Sequence, residues 1–429
     1  MKKLEADIVI VGTGASGLFA ALHVPNDKKV LMLTKSDAEN SDSFLAQGGI
    51  CVLRDKNDFD SFMEDTMKAG HYENRKESVE IMINSSRDII NELIGYGVDF
   101  ATKDGELDYT REGAHSKPRI LFHEDITGKE ITSTLLDVVR KLENVTIMEY
   151  VTMTDIIEKD NVCYGVLAKD ANNNEMCIKA GYTIFACGGI GGLYDHSTNY
   201  PHLTGDAIAI AIQHGIKLEN VDYVQIHPTT LYTKKRGRAF LISESVRGEG
   251  ARLYGKDGNR FANEVLPRDI MTQKIREQMK KDDMPYVWMD MTVLGEEVIK
   301  NHFPHIYEQC VEEGFDPRKE PIPVVPAQHY FMGGIKVNLG SKTSMKGLYA
   351  CGETSCNGVH GRNRLASNSL LESLVFARKA ADDMIFGQTP EYVRADAIDM
   401  NMYESREELL NACHETVLKE IERMKKSHE

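Results

Sequence analysis

The first residues of the chain, Asp7 to Gly17 (DIVIVGTGASG), constrain the fold more than any other stretch. Residues 7–11 are mostly β-branched and apolar, which predicts a buried parallel strand. Gly12, Gly14 and Gly17 follow with the spacing G-x-G-x-x-G, and residues 15–24 favour a helix. In this setting the glycines allow a tight turn and a close approach of a pyrophosphate to the helix N-terminus. We therefore predict a dinucleotide site; the alternative is a tight turn without a ligand.

The end of the second predicted strand indicates which dinucleotide fits. An NAD site places an acidic residue there to bind the ribose. The strand covers residues 30–33, and Thr34, Lys35 and Ser36 follow it. Asp37 lies slightly beyond the position expected for the ribose-binding acid. The missing carboxylate argues against NAD and leaves FAD open.

Composition and charge narrow the class of protein. The 429 residues suffice for two or three domains, and a formal net charge of −15 argues against nucleic acid and anionic membranes as partners. No apolar run reaches the roughly 18 residues of a membrane span, and Glu5 and Asp7 interrupt any signal sequence after Lys2 and Lys3. Eight cysteines lack paired C-x-x-C spacing, so we expect no metal and a cytoplasmic protein.

The order of predicted strands and helices along the chain predicts its domains. Residues 58–97 carry helical periodicity that ends at Gly95 and Gly97, and further strand–glycine units follow at residues 182–194 and 347–353. Between these two units the sequence no longer alternates between predicted strands and helices. We therefore predict an α/β fold in which a discontinuous, Rossmann-like domain (1–220 and 338–388) carries an inserted α+β domain (221–337) and a short C-terminal helical segment (389–429).

Cationic residues are concentrated in an otherwise acidic chain. They stand in Gly-, Pro- and Ser-containing contexts and comprise Arg247, Arg268, Arg362, Arg364, His227 and His329. Each alone is more often structural, but together they favour a small anionic substrate, because Arg matches carboxylates bidentately. The ionisable stretch 103–129, which includes Glu112, is equally compatible with a solvated loop and with a site wall.

Longer motifs carry a family resemblance. The glycine units, the QGG loop at residues 47–49 and the motifs QIHPT, SESVRGEG, PRDI, HYFMGG and HGRNRLASNSLLE resemble the succinate dehydrogenase/fumarate reductase flavoproteins. The resemblance covers about residues 5–387. It implies an FAD-binding domain, with the inserted domain closing over the isoalloxazine as a capping domain.

The resemblance also implies roles for individual residues. It assigns FAD to Gly12, Gly14, Ala15, Ser16, Gly17, Lys35, Asp42, Ser43, Phe44, Leu45, Ala46, Gln47, Gly48, Gly49, Asp206, Glu353, Ser369, Leu370 and the backbone near Thr152. His227, Ser243, His329 and Arg364 would bind the substrate carboxylates, with Glu112 and Gln225 as candidates for reading an amino group. Arg268 would be the acid/base group, with Glu244 and Arg247 as its proton relay, because an arginine pKa above 12 requires one.

Within this family the chain most resembles members that oxidise L-aspartate to iminoaspartate, the first step of NAD biosynthesis through quinolinate. Fumarate or dioxygen would reoxidise the flavin, and quinolinate synthase is a candidate for functional coupling. The alternative is a fumarate reductase or succinate dehydrogenase flavoprotein subunit, which usually has an aromatic residue at the position of Glu112. A non-enzymatic flavin-binding protein would not need Arg268, Glu244 and His329 together.

Three departures from the family pattern matter. Respiratory members often link FAD covalently to a histidine where this chain has Asp42, so we expect non-covalent FAD. Arg362 replaces a small residue and either helps to bind substrate or lies on the surface. Many relatives continue through a further helical domain after the position of Gly387, which leaves the oligomeric state open.

Overall fold

The structure, a computed structural model, describes residues 1–235, 237–386 and 406–428. Its strands in chain order are β1 (Lys2–Val11), β2 (Val30–Leu33), β3 (Ile50–Cys51), β4 (Thr102–Lys103), β5 (Glu106–Leu107), β6 (Ile120–Leu121), β7 (Val145–Met148), β8 (Thr152–Lys159), β9 (Val162–Lys169), β10 (Glu175–Phe185), β11 (Leu218–Glu219), β12 (Val224–Leu231), β13 (Arg252–Tyr254), β14 (Val287–Asp290), β15 (Ile322–Phe331), β16 (Gly334–Lys336), β17 (Leu348–Ala350) and β18 (Ser355–Cys356).

The α-helices connect and cover these strands. In chain order they are α1 (Ala15–Leu22), α2 (Phe59–Ala69), α3 (Lys76–Tyr96), α4 (Thr127–Val139), α5 (Asp206–Gln213), α6 (Glu244–Gly248), α7 (Arg268–Asp282), α8 (Glu296–His302), α9 (Pro304–Glu312), α10 (Asn368–Phe386) and α11 (Arg406–His428). No helix within the described ranges combines the length and the apolar character needed to cross a lipid bilayer.

The main sheet has the order β7-β2-β1-β10-β9-β8, and β17 also pairs with β10. Strands β7, β2, β1, β10 and β17 run parallel, whereas β9 and β8 are antiparallel additions. Alternate residues of β1 enter different cores: Ile8 and Ile10 pack with α1, α3, α4 and α10, whereas Val9 and Val11 pack with α5 and α11. Both faces of the sheet are therefore covered, which explains why β1 reads as an apolar run.

The inserted part of the chain forms a second sheet of order β12-β15-β14-β13, in which all pairs are antiparallel. Residues of α7, α8 and α9, such as Ile275, Ile299 and Ile306, complete its core. The chain then returns to the first sheet through β17. The predicted α/β class with a discontinuous FAD domain and a capping domain is confirmed. The domain limits at 220 and 337 stay predictions, and the limit at 388 lies outside the described residues.

Two glycines after β1 occupy positions where a residue with a side chain would not fit. Gly12 has a φ of +116°, and a Cβ atom there would lie 1.9 Å from the carbonyl oxygen of Ala186. A Cβ on Gly17 would lie 2.1 Å from the carbonyl oxygen of Gly12. The turn and the contact between helix and sheet thus both require a residue without a side chain.

Candidate active site

A long cavity lies at the carboxyl ends of β1, β2, β10 and β17 and extends to the capping domain. Ligands of open α/β sheets bind at this edge. Most residues predicted to bind FAD line the cavity: Gly12, Gly14, Ser16, Lys35, Asp42, Ser43, Leu45, Ala46, Gln47, Gly48, Gly49, Asp206, Glu353, Ser369 and Leu370. The other four, Ala15, Gly17, Phe44 and Thr152, adjoin lining residues but do not line the cavity themselves.

The polar groups of this end fit an FAD molecule. Helix α1 begins at Ala15, whose amide donates to Ser43 Oγ at 3.1 Å, and the N-terminus of α1 adjoins the cavity at Gly14 and Ser16. The Ser41 Oγ, Asp42 Oδ2 and Gln47 Oε1 atoms are buried and have no hydrogen-bond partner within the described chain. Buried polar atoms rarely remain unpaired, so this cradle suits a polar ligand.

Lys35 and Asp206 form an ion pair on the wall of the cavity. The Lys35 Nζ donates to Asp206 Oδ2 at 2.7 Å and to Thr204 Oγ1 at 3.0 Å. Burial pushes the pKa of Asp206 upward, but the charge of Lys35 together with the hydrogen bonds from Lys35 and Thr204 leaves the pKa below its usual value. The pair therefore stays ionised and joins the segment after β2 to the start of α5.

Two carboxyl groups face the same cavity further along. Asp42 accepts a hydrogen bond from the Tyr200 amide at 2.9 Å, and burial raises its pKa to about 7. Glu353 accepts from the Phe331 amide at 2.9 Å, and burial together with the Asp42 charge raises its pKa to about 8. Asp42 thus lies in the FAD cavity at the position of the family's linking histidine.

Gln225 is a hub between the two arginines of the substrate end. Its Oε1 accepts from Arg268 Nη1 at 2.9 Å and from Arg364 Nε at 3.3 Å. Its Nε2 donates to Asn363 Oδ1 at 2.9 Å and to the Arg364 carbonyl at 2.8 Å. Gln225 does not line the cavity, so it positions Arg268 and Arg364 instead of facing a substrate.

Arg268, Glu244 and Arg247 form a continuous chain of charges. The Arg268 Nε donates to Glu244 Oε2 at 2.6 Å, and the same oxygen lies 3.8 Å from Arg247 Nη2. Burial raises the pKa of Glu244, but the charges of Arg268 and Arg247 outweigh burial and leave it lowered. Arg268 and Glu244 line the cavity, whereas Arg247 is fully buried behind them.

Arg364, His227, His329 and Ser243 also line the substrate end of the cavity. Arg364 Nη2 donates to His329 Nε2 at 3.0 Å, so His329 carries its proton on Nδ1, 2.7 Å from Thr198 Oγ1. The rings of His329 and His227 meet edge to face with 5.1 Å between centroids. Burial, then nearby arginine charges, lowers both histidine pKa values well below the usual range. The His227 Nε2 atom has no hydrogen-bond partner among the described residues and lines the same cavity.

Glu112 brings a carboxylate into this cationic end. Its Oε1 accepts from Ser245 Oγ at 2.8 Å, and its Oε2 accepts from Ser367 Oγ. Burial, followed by the charge of Glu244, raises the pKa of Glu112. The stretch 103–129 is therefore a site wall at Glu112, which lines the cavity together with Arg268 and Arg364.

Arg362 does not belong to this constellation. Its side chain is 62% exposed, lies 3.9 Å from Glu73 and stacks 5.7 Å from the Tyr223 ring centroid. Of its two interpretations, the structure supports the surface residue.

Tyr330 and Ser367 are among the site residues that the sequence did not predict. Tyr330, within the HYFMGG motif, lines the cavity with its ring centroid 4.2 Å from the Arg364 guanidinium. Ser367 donates to Glu112 and accepts from the Gly49 amide at 3.2 Å. The motif itself was the only available signal for Tyr330.

Comparisons with known proteins agree with this geometry. A sequence profile described as FAD binding domain matches residues 7–370. An L-aspartate oxidase of Clostridium perfringens is 50% identical over 380 residues, which are 88% of this chain and 86% of that protein. One from Clostridium acetobutylicum is 48% identical over 383 residues, with coverages of 89% and 88%. The chain belongs to the L-aspartate oxidase family.

This membership settles the class of the protein. FAD is the cofactor, as predicted, and the chain is an FAD-dependent oxidoreductase. Among solved structures, a mutated E. coli quinol fumarate reductase FrdA superposes with a TM-score of 0.84 at 29% identity, covering 98% of this chain and 74% of the other. The fumarate reductase alternative therefore describes a relative in the wider family.

Proposed function

We propose that this chain oxidises L-aspartate to iminoaspartate, the first step of NAD biosynthesis through quinolinate. The substrate loses a hydride from Cα and a proton from its amino group. Bound FAD supplies the hydride acceptor. Fumarate, which becomes succinate, or dioxygen, which becomes hydrogen peroxide, would take up the two electrons and restore the cofactor.

The observation that carries this proposal is the Glu112 carboxylate at the end of the cavity where Arg268, Arg364, His227 and His329 lie. The other carboxylate at this end, Glu244, is already paired with Arg268. L-Aspartate and succinate share two carboxylates and differ by one α-ammonium. Arg364, His227, His329 and Ser243 suit the carboxylates, whereas Glu112 suits the ammonium of L-aspartate and repels succinate, which lacks that cation. Two hydroxyl donors keep Glu112 as an acceptor.

The remaining charges support proton transfer by Arg268. Arg268 is the first residue of α7, and its guanidinium lines the cavity. Glu244 contacts its Nε atom and Arg247 follows behind, which suits a relay. Gln225 fixes the guanidinium plane through Nη1.

Iminoaspartate hydrolyses in water, so the proposal includes functional coupling to an enzyme that consumes it, quinolinate synthase. The net charge of −15 argues against nucleic acid and anionic membranes as partners. The eight cysteines are free thiols, which favours a reducing compartment, and we place the protein in the cytoplasm.

Glu112→Gln tests the proposal. A charge-assisted contact in a closed site contributes about 1.5–3 kcal/mol. Its loss should lower kcat/KM for L-aspartate oxidation roughly 10- to 150-fold. Fumarate has no ammonium, so fumarate reduction in the same preparation should be kept or improved. Both rates are measured by stopped-flow absorbance of the flavin.

The matched control is Glu106→Gln, which neutralises an exposed acid on β5 of the same region and should change neither rate. If Glu112→Gln changes both activities by the same factor, Glu112 does not read the amino group and the assignment of L-aspartate loses its main support.

A further inference from the structure

A buried polar cluster lies directly behind Glu112. The Arg119 side chain is fully buried; it donates to Asp58 at 2.9 and 3.1 Å and to Asp65 at 2.6 Å. Asp65 also accepts from the amide and hydroxyl of Ser116 at 2.8 and 2.7 Å. A guanidinium with this many partners is fixed in place, and it fixes the stretch that begins at Glu112.

The same guanidinium dictates the protonation of His115. Arg119 Nη1 lies 3.1 Å from His115 Nδ1, and arginine can only donate, so Nδ1 must be the acceptor. The ring proton is then on Nε2, which lies 3.0 Å from the carbonyl oxygen of Ala366. Burial and the charge of Arg119 lower the pKa of His115 to about 4, which keeps the ring neutral.

This hydrogen bond joins two strained segments. Ala114, immediately before His115, has a φ of +64°, and Ser367, immediately after Ala366, has a φ of +60°. Non-glycine residues keep such conformations only where their surroundings enforce them. Ser367 is the residue that donates to Glu112 Oε2, and its carbonyl accepts from the Cys51 amide at 3.0 Å.

We propose that His115 is a positioning residue that sets the preference for an amino dicarboxylate. Its ring ties the segment of Glu112 to the segment of Ser367, and so aims the Glu112 carboxylate at the ammonium position. This inference rests on the proposed function. His115 touches neither substrate nor cofactor; it acts through Ser367 and Glu112, and it does not line the cavity.

The test compares two substitutions that each keep one half of the imidazole. In His115→Asn the amide oxygen takes the place of Nδ1, so the Arg119 contact survives and the Ala366 contact is lost. We expect kcat/KM for L-aspartate to fall about tenfold, or roughly 1.4 kcal/mol. Fumarate reduction should stay within about threefold, since fumarate does not use the Glu112 charge.

His115→Gln serves as the rescue, because its amide nitrogen takes the place of Nε2. This variant should keep the wild-type ratio of aspartate oxidation to fumarate reduction. His23→Gln is the matched control: His23 also has partners on both ring nitrogens, Phe19 at 2.8 Å and Glu92 at 3.0 Å, but lies away from the site. An equal loss of both activities in His115→Asn, or no rescue by Gln, would overturn the proposal.

A second measurement tests the proposal even if the His115→Asn variant does not fold. ¹⁵N-histidine NMR of the FAD-loaded protein, with the signal assigned by its loss in His115→Gln, should show a neutral Nε2–H ring between about pH 5.5 and 8. A proton on Nδ1 would contradict the inference. Reduction of wild-type flavin by L-aspartate is measured first, so a failure of the proposed function appears in the wild type and not in the variants.

Discussion

Arg268 is the residue on which the proposed proton transfer depends. It could have been a structural arginine paired with its neighbour Asp269, but Asp269 contacts His71 at 2.8 Å instead. The guanidinium of Arg268 contacts Glu244 and Gln225 and lines the cavity. It is therefore free to face a substrate while remaining connected to a relay.

The prediction for Arg268→Lys follows from that geometry. Lysine cannot make both contacts in one plane, so the proton donor is displaced. Fumarate turnover should fall by orders of magnitude, about 10²-fold or more for loss of a general acid, while FAD stays bound. Stopped-flow turnover and the flavin spectrum measure both quantities.

Arg252→Lys, at an exposed position of β13, is the control and should leave turnover unchanged. Near-normal fumarate reduction by Arg268→Lys would remove Arg268 from the mechanism. A loss of thermal stability at unchanged turnover would mark it as a structural residue.

Residue identities in the site were predictable only where a motif carried them. Arg268 and Arg364 stand in recognisable motifs, but their common partner Gln225 is 43 and 139 residues away from them in sequence. No periodicity reveals that its four polar contacts are all to protein. His115 and Arg119 stood out only as ionisable residues, because their partners Asp58, Asp65 and Ala366 are distant in sequence.

At the scale of elements, the strand, turn and helix at the start of the chain were predictable, since its glycines and apolar run act locally, but β1 begins earlier than predicted, at Lys2, and α1 ends earlier, at Leu22. The predicted helical stretch 58–97 is instead two helices, α2 and α3. His71 and Tyr72 between them adopt left-handed φ values of 59° and 61°. Apolar periodicity cannot show such a break, although Gly97 ends α3 as expected, with a φ of 105°.

Helix α11 supports the FAD domain from the side opposite α1. Its Leu409, Cys413, Val417 and Ile421 are buried with residues of α5 such as Ala207. A Cβ on Gly205, the residue that precedes α5, would lie 3.3 Å from Val417. The start of α5, which includes Asp206, thus packs against α11.

Ile421→Ala should accordingly lower the free energy of unfolding by roughly 2–5 kcal/mol, because it leaves a cavity in a close-packed core. Leu418 on the same helix is 42% exposed. Leu418→Ala should therefore stay within about 0.5 kcal/mol of the wild type. Urea unfolding of the FAD-loaded proteins compares them. Equal effects of the two substitutions would show that α11 does not pack on α5 as described.

At the scale of the whole molecule, both parts of the discontinuous FAD domain contribute to the FAD site. The residues of this site predict that the cofactor is bound non-covalently. Asp42 occupies the position of the linking histidine and lines the cavity. A carboxylate forms no stable flavin linkage of that kind. Acid precipitation should release yellow FAD into the supernatant. Flavin fluorescence that stays on the denatured polypeptide band would contradict this prediction.

Closure of the capping domain over the FAD domain explains why the site is complete only in the folded whole. Ser245 of the capping domain contacts Glu112 of the FAD domain at 2.8 Å. Asp125 of the FAD domain accepts from the Ile306 amide at the start of α9 at 2.8 Å. Residues of both domains therefore line the substrate end, where Glu112, Glu244 and Arg268 are buried.

The most direct test of the account is anaerobic reduction of the bound flavin. L-Aspartate should bleach the oxidised flavin absorbance of the purified protein rapidly, and fumarate added afterwards should restore it. Succinate at the same concentration should bleach it far more slowly, because it lacks the ammonium that we propose Glu112 binds. Bleaching by succinate as fast as by L-aspartate, or no bleaching by L-aspartate, would contradict the central claim.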